Sequence, residues 1–105
     1  MIIVTTNDIA GKNITDVKGL VQGSIVKSKH IGRDIGAGFK TLVGGEITGY
    51  SDLMHEARDA ARQRMIKEAE ALGANAIIGM RYQTSQVMNA ASEVIAYGTA
   101  VVTDA

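Results

Sequence analysis

No cysteine occurs in the 105-residue chain, which removes disulfides, thiolate metal ligands and thiol nucleophiles together. Tryptophan is missing too, phenylalanine occurs once, and aromatic residues make up only 4% of the chain. The 46% hydrophobic content must therefore be carried by Ile, Val, Leu, Ala and Met. Such side chains fill little volume, so a chain this short builds a thin core, often completed by a subunit interface. That composition predicts an oligomer. Charge of neither sign dominates: eleven Lys plus Arg balance eleven Asp plus Glu. A nucleic-acid partner normally meets a basic excess that neutralises phosphates, and the chain has none overall. No apolar run approaches the roughly 20 residues of a membrane-spanning helix. The start, Met1 to Asp8, lacks the basic segment of a signal peptide and reaches an acid too soon. One domain over residues 1–105, soluble and cytoplasmic, is expected, and the Asn13-Ile14-Thr15 sequon is then a chance match.

What is present reads as an α+β chain. Met1 to Val4 is a short β-branched run and predicts a first strand. From Ile14 to Lys29, Val17, Gly19, Val21, Gly23 and Ile25 share one parity, predicting one long bent strand or two short ones. Glycines inside such a run mark a bulge or a close backbone approach. Between Arg33 and Gly45, Ile35, Phe39, Leu42 and Val43 recur with a helical period, which favours a short helix stopped by Gly44-Gly45 over the rival reading of "FKTLV" as a strand. Ser51 to Leu72 predicts a long helix, with Ser51 or Asp52 as N-cap and Gly73 as its end. Its apolar stripe is Met54, Ala57, Ala61, Met65, Ala69 and Leu72, and the alanines let it lie close against a sheet. Arg64 and Glu68 stand as an i,i+4 pair. Ala76 to Thr84 alternates with Ile78, Met80 and Tyr82 on one side, and Glu93 to Thr103 alternates again. The polar "SQVMNAAS" between them reads as a hairpin loop. Two strands before the helix and a hairpin after it suit an antiparallel sheet packed by helices.

Chemistry-bearing patterns are few. "GGEITGYS" has the GxxxxG spacing of a phosphate loop in Gly44 and Gly49. Tyr50 stands where the phosphate lysine belongs, however, and Glu46 sets a repelling carboxylate inside the loop. The glycines are accounted for by a corner between two helices. For a divalent metal the candidates are Asp52, His55, Glu56 and His30. Asp52 shares a helical face with His55 and with Glu56, but adjacent His55 and Glu56 diverge. No ligand motif supports a cofactor. Met54, Met65 and Met80 fall on core faces, away from a soft-metal role. Lys27, Lys29, His30 and Arg33 form a small basic cluster with no aromatic residues for base stacking, hence ordinary surface. Two histidines with no neighbouring acid in a diagnostic motif assemble no triad, so no catalytic residue is assigned. Tyr50, Tyr82 and Tyr97 suit a core, a pocket or an interface.

Several stretches together resemble the YbjQ-like family, small bacterial and archaeal proteins carrying a heavy-metal-binding label. They are Thr5-Thr6, "GLVQGSIV" from Gly19, "RDIGAGFKTLVGGEI" from Arg33, Ala57-Arg58, "EAEALGANAIIGMRY" from Glu68 and "GTAVV" from Gly98. The resemblance implies a dodecin-like α+β subunit and a ring, a homopentamer. No family ligand set maps onto this cysteine-free chain. Three functions follow as expectations: a non-enzymatic ring holding a small ligand at subunit junctions, a metal binder using His and carboxylate ligands, and an enzyme with an intersubunit site.

Overall fold

A 15-residue strand interrupted by two glycines and a 24-residue helix rich in alanine face each other across the core. The computed structural model describes residues 1–28, 48–88 and 91–104. Its elements are β1 (Ile2–Ile3), β2 (Ile14–Ser28), α1 (Thr48–Ala71), β3 (Ala76–Met88) and β4 (Ala91–Thr103). They make one four-stranded sheet in the order β1-β3-β4-β2. The three long strands are antiparallel as expected, whereas β1 lies parallel to β3, so the sheet is mixed. The short helix expected between Arg33 and Gly45 lies outside the described residues. No helix among the described residues is long and apolar enough to cross a membrane.

The helix rests on β2 and β4 through its alanine stripe. Ala57, Ala61, Met65 and Ala69 are fully buried, and Met54 packs against them. The approach is closest at Gly23, where a Cβ would come within 3.0 Å of the Ala61 carbonyl, the Met65 amide and Arg64 Cβ. Among the described residues the core cluster holds eleven, of which six are alanine (Ala57, Ala61, Ala69, Ala74, Ala96 and Ala100) and none is aromatic. Gly73, at φ +83°, ends the helix in a Schellman arrangement. The Ala74 amide donates to Ala69 O at 3.1 Å and the Gly73 amide to Glu70 O at 3.0 Å.

Three local expectations are corrected. The helix begins at Thr48, so Ser51 and Asp52 lie within it instead of capping it. First-turn amides lack intrahelical partners in any case, which makes Gly49 a small cost there. Leu72 leaves the apolar stripe and is 44% exposed, because the helix ends at Ala71 and the chain turns away at Gly73. "SQVMNAAS" is mostly strand: β3 runs to Met88 and β4 resumes at Ala91. Polar β-paired residues on an exposed arm satisfy their backbone across the ladder, so polarity alone did not mark a loop.

In β3 the alternation breaks at Gly79, φ +60°, where the register shifts between Ile78 and Arg81. This bulge places Ile77, not Ile78, beside Met80 in the core. The N-terminal chain follows its outer side: Gly79 donates to Thr6 O at 2.8 Å and Met80 to Val4 O at 3.0 Å. At the other end of the sheet Asn13 donates through its amide (2.8 Å) and its Nδ2 (2.9 Å) to the two oxygens of Asp104. Those bonds, the backbone one first, hold the Asp104 carboxyl below the usual carboxylate range.

Candidate functional site

The metal candidates occupy the start of α1 and point to solvent. Asp52, His55 and Glu56 are all exposed, and each of the latter two already has a basic neighbour. Arg58 Nη2 lies 3.0 Å from His55 Nδ1; since a guanidinium only donates, that ring nitrogen accepts. Glu56 Oε1 lies 3.6 Å from Lys27 Nζ across the gap to β2. A cation there would meet the Arg58 and Lys27 charges first. No group of three His or carboxylate donors comes together among the described residues. His30, Lys29 and Arg33 lie outside those residues, as does the first part of the glycine-rich corner, including Gly44 and Glu46. Gly49 and Ser51 belong to the first turn of α1. Tyr82 and Tyr97 occupy opposite faces of the sheet, since Tyr82 stands opposite Ala96, the neighbour of Tyr97.

Arg64 and Glu68 do something their spacing did not reveal. Instead of pairing with each other, they reach the backbone of β2: Arg64 Nη1 donates to Ser24 O at 2.7 Å, and Glu68 Oε1 accepts from the Gln22 amide at 3.0 Å. The flanked residue is Gly23, on which the helix sits. A glycine in mid-strand was the signal that something approaches closely there.

A second candidate surface among the described residues is the face of the sheet opposite α1. Strand register sets its rows: Leu20, Thr99 and Ile78; Gln22, Tyr97 and Arg81; Ser24, Ile95 and Gln83; Val26, Glu93 and Ser85. Residues directly opposite in antiparallel strands share a face. Leu20 and Val26 are 66% and 56% exposed, while Ile95 and Tyr97 between them are half-buried. Among the described residues no helix covers this face. Its chemistry mixes apolar side chains (Leu20, Val26, Ile78, Ile95) with amides, hydroxyls and the charges of Arg81 and Glu93, suited to packing or to a small ligand.

Known proteins are similar to this chain over nearly its whole length. A UPF0145 protein of Halalkalibacterium halodurans is 64% identical over 96% of this chain and 95% of its own. UPF0145 proteins of Thermotoga maritima and Clostridioides difficile are 55% and 56% identical, covering 95% and 91% of those chains. Among solved structures, a protein of unknown function of the DUF74 family from Pediococcus pentosaceus matches with a TM-score of 0.63 at 25% identity, over 99% of this chain and 98% of that one. The model of the YbjQ family, described as "Putative heavy-metal-binding", matches residues 1–104. With that match over nearly every residue, and with UPF0145 relatives at these identities, the chain belongs to the YbjQ family.

Proposed function

We propose that the chain is the subunit of a ring-forming homo-oligomer that performs no catalysis of its own and holds a small ligand where subunits meet. The observation that carries this is the sheet face that no helix among the described residues covers, with Leu20, Val26, Ile95 and Tyr97, beside a core that among those residues is largely alanine. Buried against a second copy, that face supplies the apolar area the isolated chain lacks. A closed ring is the assembly the family resemblance implies, with five copies. Size-exclusion chromatography with light scattering on untagged protein tests it. The expected particle is a multiple of the 11.1 kDa chain, five for the ring that the family resemblance implies. A monomer at micromolar concentration overturns the proposal.

The alternative, favoured by the family's description, is a divalent metal held by Asp52 with either His55 or Glu56 and completed by His30 or donors of another copy. Calorimetric titration with Zn²⁺ decides it. Saturable binding that is lost in His55→Ala is the expected result for a metal site, and the absence of saturable heat removes it.

A further inference from the structure

Across the rows from Leu20 to Ser28, the sheet face opposite α1 carries two charged side chains among the described residues, Arg81 on β3 and Glu93 on β4. Glu93 is half-buried, and no Lys or Arg among the described residues bridges to it. A carboxylate drawn partly out of water without a cation is a cost the single chain leaves unrelieved. Arg81 is held ready for such a group. Its Nη1 donates to the carbonyls of Thr5 and Met80, both at 2.9 Å, which fixes the guanidinium and leaves the donors of Nη2 and Nε for a carboxylate. The two charges cannot meet within one chain. Arg81 stands opposite Tyr97, and Glu93 lies four residues from Tyr97 along β4, about 13 Å away.

Their placement is symmetric about the row of Ser24, Ile95 and Gln83, with Arg81 one row to one side and Glu93 one row to the other. We infer that this face packs on the same face of a second copy, turned by 180° about an axis along that row, so that each Arg81 meets the partner's Glu93. The rotation sets the partner's Glu93 over Tyr97 and one strand spacing from Arg81, about 5 Å sideways and within reach of a long side chain. It also lays Ile95 on its own counterpart and brings Ile78 over the partner's Met88. Met88 is 67% exposed in the single chain, and the register shift between Gln86 and Met88 is what returns it to this face, opposite Ala91. The occupant is a second copy because the surface is complementary to itself. A two-fold contact asks that each group find its counterpart twice, and the guanidinium and the carboxylate both do. The inference rests on the oligomeric reading above and names the face and the pair through which two copies meet. A ring of five would then stack on a second ring.

Charge reversal of the untagged protein tests it, with association followed by light scattering over a range of concentrations and folding checked by circular dichroism. Arg81→Glu and Glu93→Arg each set like charges together at both symmetry-related positions. Each is expected to raise the dissociation constant of this contact by on the order of 100-fold. Mixed in equal amounts, the two variants complement each other twice, so mixed pairs should form about as tightly as the wild-type pair. Glu93→Arg keeps the tether of Arg81 to Thr5, so it tests the contact even where Arg81→Glu folds poorly; association of Glu93→Arg at wild-type strength overturns the inference. So does a mixture of the two folded variants that stays as dispersed as each alone. A wild-type particle with an odd number of copies, five included, overturns the two-fold face and leaves the oligomer standing. A wild-type monomer at micromolar concentration removes both proposals.

Discussion

Gly23→Ala is expected to destabilise the chain by roughly 3 kcal/mol, at the upper end of overpacking costs. The added methyl meets backbone: the Ala61 carbonyl and the Met65 amide lie closer than 3.0 Å, with Arg64 Cβ beside them. A flexible side chain would swing away, but two consecutive turns of α1 cannot. Relief requires lifting the helix off β2, and that opens gaps around Ala57, Ala61 and Ala69, whose side chains are too short to follow. It also breaks the bonds of Arg64 and Glu68 to Ser24 and Gln22. Urea unfolding followed by circular dichroism measures the change. In a chain of about this size the midpoint of thermal unfolding should fall by roughly 10–20 °C. A loss below about 1 kcal/mol would show that the helix does not rest on the strand as described.

Met65→Ala is expected to cost about 3–5 kcal/mol, the upper part of the range for deleting a buried methionine side chain. Met65 is fully buried, and it heads the fully buried side chains by volume. The cost depends on whether neighbours collapse into the space left. Here Ala61, Ala69 and Ala96 belong to the same cluster and have nothing to extend into it. Met65→Leu nearly preserves volume and should cost less than about 1.5 kcal/mol. Urea midpoints for the two variants check the contrast. Equal losses would mean that the thioether's shape, and not the space it fills, decides the site.

The helix was legible because Ala57, Ala61, Met65 and Ala69 repeat with a helical period and are all fully buried. Gly23 was legible as a point of close approach, though nothing local named the helix as its partner. Other features depend on contacts distant in sequence. The pairing of Ile2 and Ile3 with Ala76 and Ile77 is parallel, and a two-residue strand carries no signal of direction. The bulge at Gly79 exchanges Ile78 for Ile77 in the core, and a strict two-residue alternation has no room for it. Leu72 continued the helical period by one step past the end of the helix, so periodicity alone overran the boundary. For the candidate site, the spacing of Asp52, His55 and Glu56 placed them together at the start of one helix. It did not disclose Lys27 from β2 beside Glu56 or Arg58 on His55.

The central claim is that a thin alanine core is completed by other copies of the chain. A protein stabilised in that way becomes more stable as its concentration rises, because association draws only on the folded subunit. Thermal unfolding of the untagged protein over a concentration range of about 100-fold, with particle mass followed alongside, is the direct measurement. The midpoint is predicted to rise steadily with concentration as the assembled particle replaces the monomer. An unchanged midpoint across the range, with a monomer throughout, would contradict the account.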